Sequence, residues 1–154
     1  MNSDDDIQVV TFRVGRQEFA FDILQVERIL RYTEPSPLPK APRFLEGVMP
    51  YGDGAVPVLD LRKRFEVEAP IREETRFMVL ELETQRVAVL VDEVREVMRV
   101  DTATISAPGP MVSGLAAVYI SGIITRPGRT IIILNARKLL SATERLELDQ
   151  LGAA

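Results

Sequence analysis

The chain of 154 residues contains neither histidine nor cysteine. Without cysteine there can be no disulfide, no thiolate zinc site and no thiol nucleophile. Without histidine, the usual general base near neutral pH and the commonest metal ligand are both missing. Any catalysis would have to rest on carboxylate, lysine, tyrosine or serine groups with no imidazole beside them. Tryptophan is absent as well, and aromatics make up only 6% of the residues. The core is therefore expected to be largely aliphatic.

A surplus of positive charge is also missing. The formal net charge is −4 and the sequence pI is about 5.0, which on average repels a phosphate backbone and argues against nucleic acid as a partner. The short basic clusters Arg62–Lys63–Arg64 and Arg137–Lys138 read as solvated helix ends. With 46% hydrophobic and 27% charged residues, the composition is that of an ordinary globular domain. Met1–Asp6 is acidic and polar, so no signal peptide is expected. The uncharged stretch Thr102–Thr125 holds Pro108, Pro110 and three glycines, which fits a loop leading into a strand better than a membrane helix. A cytoplasmic protein without membrane insertion is the expectation.

What is present is a repeat. Val9–Leu30 aligns with Phe77–Met98 at an offset of 68, with Gln17/Gln85, Ala20/Ala88 and Val26/Val94 coinciding. Gly47–Phe65 aligns with Gly122–Leu140 at an offset of 75, through Gly47/Gly122, Leu59/Leu134, Arg62/Arg137 and Lys63/Lys138. The second copy only needs a longer middle loop, and Ser106–Gly114 provides it. The copies are expected at about residues 8–65 and 76–140, within one domain spanning 7–141.

Each copy reads as strands. Val9–Val14 with Glu18–Phe21, and Phe77–Leu82 with Arg86–Val91, suit hairpins. Val26–Tyr32 and Val94–Val100 are read as strands, with Asp22–Gln25 as a turn. Leu45–Met49 and Val118–Thr125 follow, each with an early glycine that marks a bulge or a close backbone approach. Asp53–Gly54 and Pro127–Gly128 are turn dipeptides before Ala55–Leu59 and Thr130–Leu134. Pro57 suggests an edge or bulge position. Asp60 and Asn135 are placed to cap short helices, Leu61–Phe65 and Ala136–Leu140. Five strands per copy suit two small barrels packed on a shared aliphatic layer. Ser141 and Glu144 form a capping box for a C-terminal helix within the tail 142–154 that lies on one barrel.

The ordered pieces FAFDILQVERILRY (Phe19–Tyr32), LPKAP (Leu38–Pro42), FLEGV (Phe44–Val48), VPVLDLRKRF (Val56–Phe65), RVAVLVDEVREVMRV (Arg86–Val100), YISGI (Tyr119–Ile123) and RTIIILNARKLL (Arg129–Leu140) resemble the CheW family, from about Ile7 to Leu140. The resemblance implies a mainly β fold of two SH3-like five-stranded β-barrels side by side. It implies a non-enzymatic adaptor, without cofactor, that binds the regulatory domain of a CheA-type histidine kinase and the cytoplasmic tips of chemoreceptors.

For partner-binding residues, Val26 and Ile29 match the family's receptor-facing pattern, and Gly47 and Val48 match the start of the segment usually written GVxNLRG. The remainder departs: Pro50, Tyr51, Gly52 and Asp53 stand where Asn-Leu-Arg-Gly is usual, so Gly52 replaces an arginine. Arg28 stands where an acidic residue is common. Such changes alter electrostatic complementarity, which governs specificity, and point to a divergent receptor set or a pathway other than flagellar steering.

Other motifs have plainer readings. Asp60 beside Arg62 could suggest a catalytic acid, yet its counterpart Asn135 is no acid. Asp92–Glu93 and Asp4–Asp5–Asp6 lack the spacing of a calcium loop, and Gly52–Asp53–Gly54 lacks the lysine of a phosphate loop. A carboxylate-dependent hydrolase would need two acids converging in a cleft, and the repeat offers no such pair in corresponding positions.

Overall fold

The computed structural model describes residues 5–83, 85–108, 118–141, 144 and 146–148. Eleven strands are described: β1 (Asp6–Val14), β2 (Gln17–Asp22), β3 (Val26–Arg31), β4 (Leu45–Tyr51), β5 (Gly54–Asp60), β6 (Arg76–Glu81), β7 (Arg86–Val91), β8 (Glu93–Asp101), β9 (Ile105–Ser106), β10 (Ile120–Arg126) and β11 (Arg129–Leu134). A short helix, α1 (Leu61–Arg64), follows β5. Its counterpart Ala136–Lys138 is a 3-10 turn. Both are capped as their residue types dictate: Asp60 accepts from the Arg62 amide and Asn135 from the Arg137 amide.

The strands form two sheets, ordered β8-β1-β2-β11-β10-β9 and β3-β6-β7-β5-β4. Replacing each strand of the second order by its repeat counterpart turns it into β8-β1-β2-β11-β10, the first five strands of the other sheet. The registers agree too: Ala20 pairs with Ile133 where Ala88 pairs with Val58, both in parallel ladders. The two sheets are therefore equivalent, but neither belongs to one copy. Each takes the first two strands of one copy and the last three of the other, with the short β9 added at the edge of the first.

That partition corrects the expectation of one barrel per copy. The hairpins β1–β2 and β6–β7 sit beside the other copy's strands, because the turn at Ile23–Gln25 and the step at Asp92 carry the chain across from one sheet to the other. Among the described residues no ladder joins β8 to β9, or β3 to β4.

Three apolar clusters result. Phe77, Val79, Ala88 and Leu90 belong to one that draws only on the β3–β4 sheet. Val9, Ala20, Val100, Ile124 and Ile131 belong to its equivalent in the β8–β9 sheet. The largest draws on both sheets, with Phe12, Phe21, Leu59, Leu61, Met78, Leu80 and Leu134. Side chains alternate across a strand, so β6 sends Phe77 and Val79 into its own sheet's cluster and Met78 and Leu80 into the shared one. This is the expected shared layer. Five of its six aromatics are gathered in one row, Phe21, Phe12, Phe19, Phe65 and Tyr119, with successive ring centroids 4.9–6.0 Å apart.

Local details refine the reading. Gly47 and Gly122 each sit at a register shift, β4 against β5 and β10 against β11. A Cβ on Gly47 would lie 2.2 Å from the Ser36 carbonyl oxygen, because Ser36 exchanges two backbone hydrogen bonds with Val48. The β4–β5 loop is Gly52–Asp53, one residue earlier than the dipeptide suggested, with Gly52 in the left-handed region at φ 58°. Pro57 lies on an interior strand, not at an edge. It faces Val48, whose own hydrogen-bonding groups point to Ser36, so its nitrogen turns away from β4, one residue before the β5–β7 ladder begins.

Arg62 is no solvated helix end. It is 7% exposed and bonds both Asp60 carboxylate oxygens, at 3.0 and 3.1 Å, and the Ala69 carbonyl at 2.9 Å. Asp92 stands 3.5 Å from the same guanidinium and accepts the Gly15 amide at 2.7 Å, tying the β1–β2 turn of one sheet to α1 at the end of the other. Burial is the largest single influence and disfavours a charge on Arg62, but the bonds and attraction of Asp60 and Asp92 together outweigh it and hold the pKa above the usual arginine value. The expected capping box is present: Ser141 Oγ accepts the Glu144 amide and Glu144 Oε1 accepts the Ser141 amide. Leu148, on the helical segment beyond, is buried in the shared cluster.

Candidate functional site

The residues expected to meet a partner lie on the two end strands of one sheet. Val26, Arg28 and Ile29 are on β3, Gly47, Val48 and Tyr51 on β4, and Gly52 and Asp53 in the loop after it. Val26 is half-buried against the shared cluster. Ile29 is 42% exposed, which a β-branched apolar residue on an outer strand does not need for folding. Gly47 is buried under Ser36, so its role is to let that segment approach. Gly52 and Asp53 are exposed at the loop tip.

One side chain that was not anticipated joins the two strands. Glu27 accepts the Tyr51 hydroxyl at 2.7 Å through Oε1 and the Arg86 Nε–H at 2.5 Å through Oε2. The Arg86 bond, then the Tyr51 bond, holds the Glu27 carboxyl below the ordinary glutamate range, and the same contact raises the Tyr51 phenol. The clamp fixes the end of β4 and the start of β7 to β3. Its signal was in the repeat. Glu27 and Arg86 align with Arg95 and Glu18, which pair at 3.8 Å in the other sheet, so the same contact recurs with its charges reversed.

Beside the clamp lies a groove of about 710 Å³ lined by Leu38, Pro39, Val48, Tyr51, Pro57 and Leu148, among others. It is mostly apolar, with Arg86 at its margin. It brings Val48 and Tyr51 together, but not Val26, Arg28 or Ile29. The residues expected to meet a partner therefore fall in two places, an apolar groove on β4–β5 and the exposed strand β3, joined by Glu27.

The Asp60 carboxylate, the one buried acid among the described residues, is bonded to Arg62 on both oxygens. Among the described residues no three acidic groups are gathered as metal ligands, and no helix is long and apolar enough to cross a membrane.

Comparison with known proteins agrees with this architecture. The family model described as CheW-like domain matches residues 8–144. The chemotaxis protein CheW of Treponema pallidum is 28% identical over 97% of this chain and 91% of its own length. Protein FrzA of Myxococcus xanthus is 32% identical over 87% of this chain and 85% of its own. The crystal structure of the scaffolding protein TtCheW from Thermoanaerobacter tengcongensis superposes with a TM-score of 0.81 at 26% identity, covering 90% of this chain and 94% of that one. Family match, relatives and two-sheet architecture coincide over nearly the whole chain: it belongs to the CheW-like family of adaptor proteins.

Proposed function

We propose that this protein is a non-enzymatic, cytoplasmic adaptor that couples chemoreceptor tips to the regulatory domain of a CheA-type histidine kinase. The observation that carries the reading is a CheW-like domain over residues 8–144 whose outer strand β3 leaves Ile29 uncovered beside the Glu27 clamp. Function lies in surfaces, and two separate ones are on offer: β3, and the groove on β4–β5. Binding at each is moderate and gains strength from many copies acting together. The departures at Arg28 and Gly52 support a divergent receptor set, or a pathway other than flagellar steering, within the same adaptor mechanism.

Affinity measurement tests this. The purified chain should bind both the kinase regulatory domain and a receptor-tip fragment from the same organism, without turnover. Ile29→Asp should weaken receptor binding about tenfold or more and leave folding and kinase binding intact. Val26→Ala should act in the same direction. Normal receptor binding by both variants would remove β3 from the site, and failure of the wild-type chain to bind either partner would end the reading.

A further inference from the structure

Strand β3 reads Val26-Glu27-Arg28-Ile29-Leu30-Arg31, and its repeat counterpart in β8 reads Val94-Arg95-Glu96-Val97-Met98-Arg99. Both segments run half-buried, exposed, exposed, exposed, half-buried, exposed. Both carry a bulge at the same place, with Glu27 and Arg95 as the extra residue. The apolar third exposed residue is uncovered in each, 42% for Ile29 and 53% for Val97. Only the charge order is reversed.

The equivalence makes one strand a control for the other. On β8 the two counterparts of Glu27 and Arg28 are paired internally: Arg95 meets Glu93 at 3.2 Å and Glu18 at 3.8 Å, and Glu96 meets Arg129 at 3.3 Å. On β3, Glu27 is fully engaged by Tyr51 and Arg86. Arg28, the counterpart of Glu96, has no hydrogen bond or ion pair among the described residues. The reason is visible in the alignment. The residue that serves Glu96 is Arg129, and its repeat counterpart is Gly54 at the start of β5, which has no side chain to offer. The register also sets Arg31 opposite Arg76, so this strand is locally cationic on a chain of net charge −4.

Taking the adaptor reading as its basis, we propose that Arg28 determines specificity on β3, and that its counter-ion is a carboxylate on the partner protein. The partner segment presents that acidic side chain next to an apolar one that covers Ile29. Long-range attraction from Arg28 and Arg31 selects such a segment, and a partner with a basic residue there is rejected by like charge.

The test uses the full chain and a receptor-tip fragment from the same organism, with affinity measured at low and high salt. Arg28→Glu should weaken binding about tenfold or more and Arg28→Ala by less, with most of the loss in association rate and salt dependence. Thermal stability should change little, because Arg28 makes no hydrogen bond or ion pair among the described residues and acts on the neighbouring Glu27 only through its charge. Among single acid-to-lysine variants of the fragment, one should restore binding to Arg28→Glu while binding the wild-type chain poorly. Wild-type affinity in Arg28→Glu, or no rescue anywhere in the series, overturns the proposal. If Ile29→Asp abolishes binding while Arg28→Glu does not, the adaptor reading stands and this one falls. If the wild-type chain ignores the fragment, the adaptor reading itself has failed.

Discussion

At the scale of single residues, charge is placed in pairs whose surroundings differ greatly. Arg62 and Arg137 are repeat counterparts, yet Arg62 is buried between two aspartates while Arg137 keeps 57% of its side chain exposed and meets Glu83 at 3.2 Å. The difference follows from the neighbours. Asn135 replaces Asp60 and brings no charge, and the counterpart of Asp92 is Leu24, which is 87% exposed. Arg62→Ala should therefore cost about 3–5 kcal/mol, because it strands a buried carboxylate, whereas Arg137→Ala should cost about 0–1 kcal/mol, as for exposed pairs; urea unfolding of both variants measures the contrast. A second expectation concerns pH. The Arg129 hydrogen bonds hold the Glu18 carboxyl below its ordinary value of 4.5. A carboxyl more acidic in the folded state stabilises above its unfolded pKa and loses that stabilisation as pH falls through the lowered value. Stability should thus decline on acidification from the ordinary glutamate range downward, and Glu18→Gln should flatten that part of the profile, read as melting temperature against pH.

At the scale of elements, the end strands differ in what their edges leave open. The outer edge of β4 is covered at Val48 by Ser36, through two backbone bonds of 2.8 and 2.9 Å. Two residues on, at the next outward-facing position, stands Pro50, which has no N–H to donate. Free pairing along this edge is blunted, and recognition shifts to side chains. Gly47 is what allows the cover, since φ is 145° and any Cβ meets the Ser36 carbonyl. Gly47→Ala should destabilise by at least about 1–3 kcal/mol and weaken binding at the adjoining groove, measured by denaturation and by affinity for the kinase domain. The repeat announced both glycines, Gly47 and Gly122, as special positions. Glu27 was harder to see, because its partners Tyr51 and Arg86 lie 24 and 59 residues away and only the sheet brings them together.

At the scale of the whole molecule, exchange of strands between copies makes one cooperative body. The parallel pairs β2–β11 and β7–β5 each join strands from different copies, and the largest cluster takes side chains from both sheets. A piece ending near residue 74 would keep β1–β5 but lose β6, β7, β8 and β11, the strands against which β1, β2, β3 and β5 are paired. Such a piece should be unfolded alone, while the full chain unfolds in one transition seen alike by circular dichroism and fluorescence of its tyrosines. A folded half, or two separated transitions, would contradict the exchange.

The amino-acid order alone determined the strands, their caps and their duplication, because alternation, turn residues and N-caps act over a few positions. It also removed imidazole and thiol chemistry outright. Which copy's hairpin lies beside which copy's strands was decided only in three dimensions. A turn of three residues at Ile23–Gln25 does not specify the sheet it enters, and burial of Met78 and Leu80 on the far face of β6 does. The same holds for charge: Arg28 and Glu96 look alike as solvated residues in the sequence, and only the folded sheet brings Arg129 to Glu96, while the equivalent position for Arg28 is Gly54.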